Sequence, residues 1–110
     1  MISMGRLIAA VRRVVLDSDL DQRRYSDQDI REAVRLSLGE LRLFRPDLFV
    51  GNPVSMPDTD TADVLPFDAT FESALVYLTA GQLLFAGQDG QALQAGAAFQ
   101  ERGRIMLQGV

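Results

Sequence analysis

Three arginines, Arg31, Arg35 and Arg42, recur at helical spacing. A row of planar, permanently charged guanidinium groups can grip phosphate or carboxylate. A second array, Asp58, Asp60 and Asp63, has the alternation of a calcium loop, but it lacks the glycine and terminal glutamate of an EF-hand. Beyond these the chemical menu is narrow. The chain of 110 residues contains neither cysteine nor histidine. That removes thiol nucleophiles, disulfides and cysteine-based zinc sites, together with the commonest general acid–base group and metal ligand. Gly87-Gln88-Asp89-Gly90 lacks the pattern of a phosphate loop. The composition points away from catalysis, and from any cofactor or metal, toward binding or structural work.

The basic row reads in two ways. Facing phosphate, it makes the chain a small helical nucleic-acid-binding or regulatory module, for instance a helix-turn-helix. Facing protein, it supplies interface ion pairs. The row is interleaved with Asp27, Glu32 and Glu40, and the formal net charge is −4, which favours the second reading. All 11 basic residues are arginine, the cation better suited to such pairs. Charge is also unevenly placed: +2 up to Arg45 and −6 from Pro46 onward. Such polarity biases identical subunits toward head-to-tail contact.

The elements that position these residues are helical. The length fits one domain, residues 1–110, with one core, and 47% hydrophobic residues exclude a disordered chain. No apolar run approaches the roughly 20 residues of a membrane span, and no signal-peptide pattern opens the chain. We therefore expect a protein that acts without secretion or membrane insertion. The fold class expected is all-α: a compact bundle of about four helices with a long irregular loop (about 46–67) and an apolar C-terminal arm.

The first helix runs from Met4 to about Asp17 behind Ser3 as N-cap, with Met4, Leu7, Ile8, Val11, Val14 and Val15 on one face and Arg6, Arg12 and Arg13 outside it. The second opens with a capping box, Ser26 to Asp29, with Asp27 and Asp29 in the first turn. Asp27, four residues before Arg31, is placed to pair with it. The core stripe is Ile30, Ala33, Val34, Ser37, Leu38, Leu41 and Phe44, and Pro46 ends the helix. Leu36 and Leu43 lie on nearly the opposite side, with Gly39 near them. Glycine is a costly choice inside a helix, and it lets another backbone approach. Either a segment of the same chain covers this flank, or Leu36, Gly39 and Leu43, with Arg31, Arg35 and Arg42, form a subunit interface.

The loop from Pro46 to Pro66 carries too many apolar residues to be free in solvent, so short extended pieces that pack on the core or on a partner are expected. The third helix, from near Asp68 to about Phe85, is apolar on nearly all sides: it is either central or also buried by a second subunit. The fourth, capped by Asp89 and reaching Arg102 or beyond, is rich in small residues that permit close helix contact. The last stretch, Arg104, Ile105, Met106, Leu107, Gln108, Gly109 and Val110, either extends that helix onto the core or is an arm that docks elsewhere.

Arg24-Tyr25-Ser26-Asp27-Gln28-Asp29-Ile30, then Glu40-Leu41, then Arg45-Pro46-Asp47 resembles the signature of phage head–tail adaptor proteins, also called connector or head-completion proteins. Asp63-Val64-Leu65-Pro66-Phe67 and the later Ala74-Leu75-Val76-Tyr77 resemble the downstream segment of that family. The resemblance implies a virion protein of the neck, made in the host cytoplasm, that forms a ring of about a dozen identical subunits. Its partners would be further copies of itself, the portal and a tail-side connector or tail protein. DNA would pass through the channel without sequence-specific binding, which suits an acidic chain. The resemblance also makes the 104–110 segment a portal-docking arm.

Overall fold

The hydroxyl of Ser3 accepts the backbone N–H of Arg6 at 3.4 Å and starts helix α1, Met4–Val14. The computed structural model describes residues 2–15, 25–49, 59, 61, 63–86 and 90–108. Helix α1 ends before the expected Asp17, which lies outside the described residues. Helix α2, Asp27–Phe44, opens with both halves of the capping box: the Asp29 N–H donates to Ser26 Oγ and the Ser26 N–H to the Asp29 carboxylate, each at 3.0 Å. It stops before Pro46, and Pro46–Phe49 forms a single 3-10 turn.

Part of the irregular loop is ordered by the N-terminus. Ile2–Ser3 (β1) pairs antiparallel with Val64–Leu65 (β2), Ile2 opposite Leu65. Both of those residues are buried, and the Met4 N–H donates to the Asp63 carbonyl at 2.8 Å. This clip is the extended piece that the apolar loop residues call for. Asp68 then caps a short turn at Ala69–Phe71. The Thr70 N–H donates to its carboxylate at 2.9 Å, which holds the Asp68 carboxyl below its usual range.

Helix α3, Glu72–Ala86, is the central element. It packs most extensively on helix α4, Gly90–Gln108, then on α2, then on α1. Its all-round apolar character is therefore met within the subunit: Ala74, Leu75, Val76, Leu78, Ala80, Leu83 and Leu84 are all buried, whereas Phe85 lies at the exposed edge. The α3–α4 seam is built on glycine. A Cβ on Gly81 would lie 2.9 Å from the Gly96 carbonyl oxygen, and one on Gly103 would lie 2.8 Å from Leu78 Cγ. Beside this contact Gln100, buried, donates from Nε2 to the Leu78 carbonyl at 2.7 Å.

Two expectations change at the C-terminal ends of α4 and α2. Arg104–Gln108 is not a separate arm but the last turns of α4, because Gln100, Gly103 and Leu107 recur at helical spacing and face the core. Leu107 is only 2% exposed, and its carbonyl accepts Arg45 Nη1 at 3.0 Å. Gly109, Val110 and the expected Asp89 cap lie outside the described residues. Phe44, expected on the core stripe, is exposed, with the Arg104 guanidinium over its ring at 5.3 Å. The Arg45-Pro46-Asp47 turn acts as a brace. Arg45 grips the Asp47 carboxylate with two hydrogen bonds of 3.0 Å, lowering that carboxyl, and lies over the Phe71 ring as well as holding Leu107. Among the described residues no helix is long and apolar enough to cross a membrane.

Candidate subunit interface

Helix α2 buries one side and leaves the other bare. Ile30, Ala33, Val34, Leu38 and Leu41 are in the core, and the Ser37 hydroxyl, also buried, donates to the Ala33 carbonyl at 2.9 Å. On the far side Leu36 is 45% and Leu43 81% exposed. A Cβ at Gly39 would meet nothing within 4 Å. The flank that the sequence singles out is thus open surface on the subunit. At 100° per residue Asp29 and Glu32 continue the same stripe toward the N-terminus of α2.

The three arginines of the row share one side of α2 but differ in what they hold. Arg31 Nη1 donates to the Thr59 carbonyl at 3.0 Å, tying a loop residue to α2. Arg35 Nε donates to both oxygens of the Glu32 carboxylate at 3.1 Å, and this bonding depresses the Glu32 carboxyl below its usual range. Arg42 is exposed beside Leu43. Asp27, placed by spacing to meet Arg31, accepts Arg12 Nη2 at 2.6 Å. Arg12 also donates to the Tyr25 carbonyl at 2.8 Å and is 4% exposed, so it is buried and not outside the core as expected with Arg6 and Arg13. Its position gave the clue: Arg12 follows Ile8 by four residues and precedes Val15 by three, both of them buried.

The last turns of α4 run beside the C-terminal end of α2. Arg104 Nη2 lies 3.9 Å from Glu40 Oε1, and Ile105 is 57% exposed. Met106 is half-buried against the core, and Gln108 is exposed. Of the residues assigned to a docking arm, Arg104, Ile105 and Gln108 are therefore accessible and Leu107 is not.

A second surface was not legible in the sequence. Between α1 and α3 lies an open groove of about 390 Å³ whose lining includes Ala10, Val14, Val76 and Tyr77, with Arg6 and Arg13 on the α1 side. Arg6 Nε lies 3.2 Å from the Glu72 carboxylate, and the Arg102 guanidinium sits over the Tyr77 ring at 4.7 Å. The signal available was the spacing of Arg6, Ala10 and Arg13 on one side of α1, but the opposite wall comes from a helix some sixty residues away.

Among the described residues no three acidic side chains converge as a metal site would require. Asp58 and Asp60 lie outside them. No family model, curated protein or solved structure matches the chain.

Proposed function

We propose that this chain is a structural adaptor that assembles into a ring of identical subunits, joining the portal of a phage head to the tail and leaving a channel for DNA. The observation that carries the reading is the bare Leu36–Gly39–Leu43 flank of α2: two exposed leucines either side of an uncovered glycine, on a helix with a complete core face behind it. The helix that carries this flank is also the one whose ends, Ser26 to Asp29 and Arg45 to Asp47, resemble the adaptor signature. That resemblance supplies the portal and the tail as neighbours. The accessible Arg104 and Ile105 on the last turns of α4 are then the portal-facing residues. The acidic chain suits a passage that must not hold its cargo, since it repels DNA phosphate. The nucleic-acid-binding reading has less to stand on, because Arg31 and Arg35 spend hydrogen bonds on Thr59 and Glu32.

Electron microscopy of the protein purified with the products of its neighbouring genes tests this. Ring-shaped particles seated on a portal are the expected result. A protein that stays monomeric there and shifts duplex DNA at low salt overturns the reading in favour of the nucleic-acid module.

A further inference from the structure

We infer that the outer stripe of α2 in one subunit seats in the α1–α3 groove of the next, so that subunits join head to tail through two different surfaces. The inference rests on the ring reading for the existence of a self-contact, and adds which surfaces make it.

The two surfaces match in shape. The stripe offers Leu36 and Leu43, seven residues apart and so about 10 Å along the helix axis. The groove has two helices for walls and Ala10, Val14, Val76 and Tyr77 in its lining. Its volume of about 390 Å³ suits a few apolar side chains rather than a whole helix. This is the arrangement by which an amphipathic helix docks through a pair of spaced anchors. Gly39, with open space where a Cβ would stand, lets the α2 backbone approach the groove wall between those anchors.

They also match in charge. Among the described residues Arg6 and Arg13 line the groove and Arg102 lies over the Tyr77 ring, against the carboxylate of Glu72. The stripe carries Asp29, which also closes the capping box, and Glu32 beyond its leucines at one end, with Arg35 bonded to Glu32, and Arg42 stands beside Leu43 at the other end. A positive rim therefore meets a stripe whose exposed acids lie at one end, which fixes direction as well as register. The surfaces share no residue, so one subunit uses both at once. A contact between unlike surfaces always leaves one of each free, and it propagates until rotation closes a ring. A contact of the stripe with its own copy would stop at a dimer.

The absence of native cysteine makes the contact directly testable by cross-linking. Ala10 lines the groove and is half-buried, and Leu43 is the most exposed anchor of the stripe. In assembled protein the double variant Ala10→Cys with Leu43→Cys is expected to give a ladder of cross-linked oligomers. Each single variant alone gives no cross-link, and a mixture of the two singles stops at dimers. Arg13→Glu, at an exposed position that leaves the core untouched, is expected to raise the concentration needed for assembly about tenfold. Rings that form normally but yield no ladder overturn the groove contact and leave the ring reading standing. Dimers from Leu43→Cys alone overturn it in favour of like-with-like pairing. Protein that forms no oligomer at all overturns both.

Discussion

Replacing Gly81 by valine is expected to lower the stability of the fold by about 3 kcal/mol, which for a domain of this size is roughly 10 °C or more in Tm. The reason lies in the α3–α4 seam. Even a single Cβ at Gly81 would stand 2.7 Å from Gln100 Cγ and 2.9 Å from the Gly96 carbonyl oxygen. The carbonyl belongs to a helix backbone, and the Gln100 side chain is fixed by its hydrogen bond to the Leu78 carbonyl, so neither moves cheaply. Valine adds two methyl groups to that collision. The helices must separate, and Leu78 and Phe85, which lie against Gly103 and Gly96, lose packing with them. Gly39 is the control. Both glycines sit inside helices, but Gly39→Ala meets open space and should stabilise by about 0.5–1 kcal/mol through backbone entropy alone. Urea titration of the two variants beside the parent measures both signs. A Gly81→Val protein as stable as the parent would mean that the seam is looser than described.

Arg12→Met should cost about 2 kcal/mol. Methionine keeps the apolar stem that lies among the core residues of α1 and removes the guanidinium. The Tyr25 carbonyl and the Asp27 carboxylate then lose the donor that fixes the start of α2 against α1. Most of the cost falls on the carbonyl, because the Asp27 side chain is 67% exposed and recovers water. Arg13→Met, one residue along and exposed, should stay within about 0.5 kcal/mol of the parent. The comparison is read from the denaturation midpoints of the two variants. Equal midpoints would remove Arg12 as a link between the helices.

These two sites mark where sequence reasoning succeeds and where it stops. The Ser26–Asp29 capping box, the stop at Pro46 and the core stripe of α2 from Ile30 to Leu41 depend on residues three or four apart, and all were legible. So was the value of small residues in α4, although only the folded chain tells that Gly81, Gly96 and Gly103 are the ones in contact. What was not legible depends on which distant segment covers a residue. Arg12 lies outside the apolar stripe read from α1, because nothing in that helix announces the Tyr25 carbonyl thirteen residues on. The pairing of Ile2 with Leu65 joins the N-terminal strand to the far end of the loop, and Phe44, at the last position of α2, is exposed beside Arg104. The C-terminal stretch carried a real ambiguity between helix and arm, and Leu107 resolved it by continuing the spacing of Gln100 and Gly103. Of the candidate interface, the exposed flank of α2 was readable as an excess of apolar residues beyond the core stripe. The α1–α3 groove was not, since it exists only where two helices meet.

Among the described residues, several that carry the resemblance have structural roles. Ser26 and Asp29 cap α2, Arg45 and Asp47 brace its end, and the segment from Asp63 includes the strand that clips the N-terminus. These roles build the subunit, whereas the assembly surface we propose is a different one, Leu36, Gly39 and Leu43.

The mass of the assembled particle in a Leu36→Asp, Leu43→Asp double variant, measured beside the parent by light scattering, tests the central claim most directly. Neither leucine belongs to the core, so the variant should keep the parent's circular dichroism and denaturation midpoint. The parent is expected to form a ring and the variant to remain a 12.1 kDa monomer under the same conditions. A variant that folds and assembles to the same mass as the parent would contradict it.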